Sequence, residues 1–335
     1  MRHLTTVAFI ALTLTGAGPA LANDTTAQLS TGGLIFVRTD AVAMESEELF
    51  ISPDAVRVAY RFRNISDADV RTVVAFPMPD IEANPYTNVA IPDGASDNFL
   101  DFTVEVDGRP LQPALDQRVF AAEVDVTDEL VAAGIPLFPY GDAVEAALAK
   151  LPADRLAEWV SRGIVLIDTY DVGEGMKDHY VPYWRLKSTY WWTMDFPKGK
   201  PVEVRHAYKP SVGATVGLTF VEDGRVGGDQ AEDYRQTYCM DAAFERAVQR
   251  AVNAHKGDMP VFYENWISYV LTTGSNWAAN IGTFKLTIDK GDPDSLVSFC
   301  GEGVKKTGPT TFEMTREDFF PEEDIEILIL KKPES

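Results

Sequence analysis

Only two cysteines, Cys239 and Cys300, and four histidines occur in the 335 residues. The two thiols lack the C-x-x-C spacing of a redox or metal pair, and His179, His206 and His255 are too scattered to suggest a triad or a zinc site. Also missing are a G-x-S-x-G elbow, an H-E-x-x-H pair, a P-loop and a dinucleotide-binding glycine pattern. No reaction is signalled, so a non-catalytic protein without a cofactor is expected. Basic residues are few: 30 Lys and Arg stand against 51 Asp and Glu, a formal net charge of −21. That field repels DNA, RNA and anionic lipid head groups, which excludes nucleic-acid binding, and it keeps an exported chain soluble.

The apolar run at residues 7–14 falls well short of the roughly 20 residues that span a bilayer. Arg2 and His3 precede it and Ala20-Leu21-Ala22 follows, so residues 1–22 read as a signal peptide cleaved before Asn23. No Cys follows the cleavage site, and no membrane insertion is expected after cleavage. The expected destination is the periplasm, with secretion as the alternative. In an oxidising compartment Cys239 and Cys300 are expected to pair, closing a loop of roughly 60 residues worth about 4 kcal/mol on the chain-entropy model.

With 45% hydrophobic residues the mature chain can build a large core. Val56, Val58, Tyr60 and Phe62 alternate with Arg57, Ala59, Arg61 and Arg63, the signature of a strand with one buried face. A turn-rich stretch at 64–69 and the apolar residues 70–76 extend this to an antiparallel hairpin. Alternation returns at Phe102, Val104 and Val106 before the Asp107-Gly108 turn. Residues 23–125 therefore read as an N-terminal β-sandwich-like part. Residues 126–163 carry two or three short helical patterns, with Thr127 or Asp128 as a cap and Ala147, Leu148, Leu151, Leu156 and Trp159 as packing residues. Residues 164–335 read as a second β-rich part with one helix, 241–255, capped by Asp241. Its strands are expected at 261–271, 284–288, 296–299, 311–314 and 325–330. The predicted class is mainly β with α insertions: two β-sandwich-like antiparallel parts with short helices between them.

Asn23-Asp24, the Thr31-Gly32-Gly33-Leu34 step, residues 47–52, Tyr60-Arg61-Phe62 and residues 74–80 (VAFPMPD) resemble the opening block of a family of exported bacterial proteins known as domain of unknown function 4424. Gly274-Ser275-Asn276-Trp277, Phe284-Lys285-Leu286-Thr287 and Ser298-Phe299-Cys300 resemble its closing block. The resemblance implies an exported β-rich fold. It transfers no active site.

The densest local anomaly is aromatic. Tyr180, Tyr183, Trp184, Tyr190, Trp191 and Trp192 crowd one stretch, with His179 beside them and Arg185 and Lys187 between. Such faces can stack on sugar rings, so Tyr183, Trp184, Tyr190, Trp191, Trp192 and His179 are candidate ligand-binding residues. Strand parity sets a limit: adjacent Trp191 and Trp192 must point to opposite faces, so one of them is core. Phe262, Tyr263, Trp266, Tyr269 and Trp277 form a second cluster of the same kind. His206 alternates with core residues and reads as a core histidine, and His255 as a helix end. Asp289, Asp292 and Asp294 space oxygen ligands for a hard cation, yet lack the glycine placement and terminal Glu of a calcium loop. Residues 317–324 set acids around Phe319 and Phe320 and suit a basic partner or a solvated loop. The resulting expectation is a periplasmic binding or scaffolding protein whose partner is an envelope protein or glycan. The alternatives are an envelope-glycan hydrolase with paired carboxylates and a divalent-cation binder.

Overall fold

The computed structural model describes residues 24–30, 33–83, 89–94, 96–171, 173, 175–257 and 259–333. The predicted signal peptide lies outside them. The alternation read in the sequence becomes a strand: along Val56–Asn64, Val56, Val58, Tyr60 and Phe62 are buried while Arg57 and Arg61 are exposed. Both its edges are paired, with Val42–Ile51 on one side and Pro201–Tyr208 on the other. These three form the middle of an eight-stranded sheet. Thr103–Val106 and Arg109–Leu111 extend it past Pro201–Tyr208, and Ile281–Asp289, Thr311–Phe319 and Lys305–Lys306 extend it past Val42–Ile51. Ile281–Asp289 pairs with Val42–Ile51 in parallel; the other pairings of this sheet are antiparallel.

Opposite stands a seven-stranded sheet built on Arg185–Phe196, which pairs with Ala114–Ala121 and Val70–Pro77. Thr25–Ser30 joins Val70–Pro77 and then Gly33–Val37. The two sheets meet through rings: Phe76 and Tyr190 lie 5.1 and 4.4 Å from Phe102, and Phe196 and Trp277 lie 6.0 and 4.5 Å from Phe62. Interdigitated aromatics of this size dominate the stability of such a core.

The expected hairpin does not form, because Val56–Asn64 and Val70–Pro77 belong to different sheets. With both edges of the first strand occupied, the chain crosses over instead. Buried Asn64 holds the crossing: its Nδ2 donates to the carbonyls of Ala68 and Phe196 at 2.8 and 2.7 Å, and its Oδ1 accepts from the Ser66 amide at 2.9 Å.

The late strands also divide. Tyr263–Tyr269, Leu296–Phe299 and Ile325–Lys331 form a five-stranded sheet with the short Val212–Ala214 and Val89–Ala90, whereas Ile281–Asp289 and Thr311–Phe319 belong to the eight-stranded sheet. The buried Phe284, Leu286 and Ile288 face the large core, so strands from both sides of the helical segment share one sandwich.

Thr127–Ala132, Asp142–Leu148 and Ala153–Ser161 are the expected short helices, and they bury Leu130, Val144, Leu148 and Trp159 on the same core. Thr127 is not the cap; its hydroxyl accepts from the Val119 amide at 2.8 Å and ties the helix to the sheet. Ala242–Ala254 is capped by Asp241, which accepts from Phe244 N at 2.7 Å. A further helix, Asp229–Thr237, escapes the sequence reading because nearly every residue in it is polar. Both helices cover a smaller core with Phe220, Tyr234, Phe244, Phe262, Leu328 and Leu330, and the Cys239–Cys300 disulfide links them to the end of Leu296–Phe299.

Candidate functional site

The outward face of the eight-stranded sheet carries a hollow of about 390 Å³. Its shape follows from register. One row across the strands reads Lys285, Glu48, Ala59, Arg205, Glu105; the next reads Thr287, Phe50, Arg57, Ala207, Thr103. Two alanines near the middle of an otherwise long-chained face leave a depression, because neighbouring backbones are only about 4.8 Å apart and the flanking side chains rise around it. Arg57 stands over the Phe50 ring with Cζ 3.9 Å from the centroid, and among the described residues it makes no ion pair. Lys285 is 3.6 Å from Glu313 and Arg205 is 3.4 Å from Glu203. The hollow therefore holds one uncommitted guanidinium, two loosely paired cations and the carboxylates of Glu48 and Glu105.

Beneath the same sheet lies a buried polar cluster. Asp24 and Glu47 are 0% exposed, and His206 is 2% exposed. His206 Nε2 sits 3.1 Å from Asp24 Oδ1, and its ring is packed by Phe76, Phe102, Tyr60 and Trp192 with centroids 4.8 to 5.5 Å away. The Tyr60 and Tyr269 hydroxyls meet at 3.2 Å, and Trp277 Nε1 donates to the Asp24 carbonyl at 2.8 Å. Burial raises the Asp24 carboxyl above its ordinary value, with the His206 charge opposing the rise.

The aromatic run sorts by strand parity. Trp184, Tyr190 and Trp192 are core side chains and cannot serve as the expected stacking platform. Trp184 Nε1 donates to the Leu137 carbonyl at 2.9 Å and Tyr190 Oη to Asn98 Oδ1 at 2.5 Å, so even their polar tips are spent on the fold. Trp191 is half-buried on the other face and Tyr183 is exposed. His179 lies on a separate two-stranded hairpin, Val165–Asp171 with Met176–Pro182, and stacks 3.8 Å from Tyr170. In the second cluster Phe262, Tyr269 and Trp277 are buried; Tyr263 and Trp266 are half-buried.

Asp289, Asp292 and Asp294 do not converge. The first two accept main-chain N–H bonds from Gly291 and Asp294 at 2.9 and 2.6 Å, and Asp294 is 3.1 Å from Lys332. The ammonium of buried Lys290 donates to the Pro293 carbonyl at 2.7 Å and to that of Ser295, taking the carbonyl oxygens of this turn for itself. Among the described residues no three His, Cys, Asp or Glu side chains gather at a metal-holding distance. The acidic residues 317–324 with Glu302 surround an open cleft beside exposed Phe320. The sequence reading missed the hollow, whose signal lay in the Arg-Val-Ala-Tyr-Arg alternation, an alanine among outward arginines.

Burial raises four carboxyls, Asp24, Asp80, Glu264 and Glu326, above their ordinary values. A raised folded-state value means that the native state binds protons more tightly than the unfolded chain. Stability from these groups is full below about pH 4 and is lost as pH rises through their folded values. Glu45 and Glu129, held low chiefly by hydrogen bonds from Arg63 and Arg162, act oppositely, but only below about pH 4.5. The melting temperature is therefore expected to fall as pH rises from about 4.5 through the raised values of these carboxyls, a change a calorimetric pH series would measure.

Fold and site together define a β-sandwich protein with a further five-stranded sheet and an open hollow on its eight-stranded sheet. The chain belongs to the family described as Domain of unknown function (DUF4424), which matches residues 22–328. No curated protein matches it. Among solved structures, it is similar to a protein of Legionella pneumophila subsp. pneumophila str. Philadelphia 1 that carries the provisional name nutrient binding protein. The two share 15% identity with a TM-score of 0.44, over 93% of this chain and 70% of that one.

Proposed function

We propose that this chain is an exported, non-catalytic binding protein of the bacterial envelope, delivered to the periplasm by its leader, and that it takes a small ligand with an anionic group into the hollow at Arg57. The uncommitted guanidinium over Phe50, beside the alanine floor, carries this reading. The overall charge of −21 opposes an anion only weakly there, because fields are screened beyond about 8–10 Å while Arg57, Arg205 and Lys285 act at contact. A disulfide accords with an oxidising compartment.

Glycan hydrolysis is less well supported. Glu48 and Glu105 both line the hollow, but they stand three strands apart, about 14 Å between backbones, where an acid/base pair needs carboxyls about 5–9.5 Å apart.

Titration calorimetry with succinate, citrate and inorganic phosphate tests the proposal. At least one probe should bind, Arg57→Ala should weaken it at least tenfold, and Ala59→Phe should abolish it without lowering the melting temperature. Binding unchanged in both variants, or no binding by any probe, would refute it.

A further inference from the structure

We infer that the chain carries a second binding site, on the outward face of its seven-stranded sheet, which takes a single free α-amino acid with an apolar side chain. This site is separate from the hollow at Arg57, which lies on the eight-stranded sheet, so either can fail without the other.

The second site is a depression of about 170 Å³. Strand parity builds it. Along Arg185–Phe196 the even positions Leu186, Tyr190 and Trp192 are buried in the core, which turns Lys187 and Thr189 outward. The register with Ala114–Ala121 then sets Arg118 directly opposite Lys187 and Asp116 directly opposite Thr189. Asp80 closes the polar side, while Phe36, Met78 and Phe120 form an apolar wall beside these charges. The volume lies below the roughly 300 Å³ at which pockets for drug-sized ligands begin, so it suits one small molecule rather than a peptide or a glycan chain.

Like charges directly opposite each other destabilise a strand pair, yet Arg118 and Lys187 stand in that relation. The protein's own acids hold them loosely. Arg118 Nε is 3.7 Å from Asp116 Oδ1 and Arg118 Nη1 is 3.8 Å from Asp125 Oδ2, both beyond hydrogen-bond length. That Nε is buried and has no hydrogen-bond partner among the described residues. Lys187 Nζ is 3.6 Å from Asp80, a carboxylate it shares with Arg185 at 3.4 Å. A ligand carboxylate between Arg118 and Lys187 would relieve their repulsion and accept charge-assisted hydrogen bonds. Two cations, Arg118 and Lys187, face two acids, Asp80 and Asp116, so the lining has no net charge and favours a ligand carrying both signs. The Arg57 hollow differs, with Arg57, Arg205 and Lys285 against Glu48 and Glu105. Asp80 is already held by two cations, which leaves Asp116 to receive an ammonium. Asp116 and Arg118 are alternate positions on one strand face, a spacing that suits an ammonium borne on the carbon next to a carboxylate. The side chain of such an amino acid then meets Phe36, Met78 and Phe120.

Titration calorimetry on the disulfide-intact mature chain, with L-leucine as the probe, tests the assignment. Leucine should bind, whereas isocaproate, which lacks the ammonium, and isoamylamine, which lacks the carboxylate, should each bind at least about tenfold more weakly. Arg118→Met should bring the affinity for leucine down toward that for isoamylamine, and Asp116→Asn should bring it down toward that for isocaproate. Arg57→Ala should leave leucine binding unchanged. Absence of leucine binding would overturn the inference, as would equal affinities for the three compounds. Loss of leucine binding in Arg57→Ala would also overturn it, by placing leucine in the other hollow. The comparison of the three compounds needs no substitution, so it decides the matter even where a variant fails to fold.

Discussion

Replacing Asp24 with Ala is expected to remove about 3–5 kcal/mol of stability, the range for deleting one member of a buried pair. His206 Nε2 lies 3.1 Å from Asp24 Oδ1 in a site that is 2% exposed or less, so the imidazole cannot turn to water when its partner goes. Four rings pack around the imidazole and hold it in place. His206→Leu in the same background should restore part of the loss, because an apolar side chain of similar volume suits those rings better than an orphaned imidazole. Urea denaturation of the single and double variants measures both quantities. A loss under about 1 kcal/mol for Asp24→Ala, or strictly additive effects, would show that the pair contributes nothing as a pair.

Removing the disulfide should cost about 4 kcal/mol, the chain-entropy value for a sequence separation of 61. The loss should be uneven. Cys239 follows the helix Asp229–Thr237 and precedes Ala242–Ala254, and these helices rest on the smaller of two cores. That core lacks the stacked aromatics of the large sandwich. In Cys239→Ser/Cys300→Ser, hydrogen exchange should therefore accelerate first in residues 229–254, while Val56–Asn64 and Arg185–Phe196 keep their protection. Uniform acceleration across the chain would mean that both cores unfold as one unit.

The aromatic stretch shows how far side-chain identity reaches. Parity alone required Trp191 and Trp192 to face opposite ways, and they do. Parity did not tell which face was water, and the buried face took Trp184, Tyr190 and Trp192 together because all three are even-numbered positions of one run. The hairpin expected at 56–76 failed for a related reason. Turn residues at 64–69 mark a reversal, but a reversal that crosses between sheets has the same composition as one that stays within a sheet.

Local order was settled by sequence alone: alternation marked the strands, Asp241 started its helix, and two cysteines in one chain left a single intramolecular pairing. These follow from interactions a few residues long, or from counting. The tertiary structure alone decided which strands became neighbours, that Ile281–Asp289 runs parallel beside Val42–Ile51, and that Ala59 and Ala207 meet to open a hollow beside Arg57. Period-2 patterning tells a strand which side to bury, but partner choice depends on the summed packing of residues hundreds of positions apart.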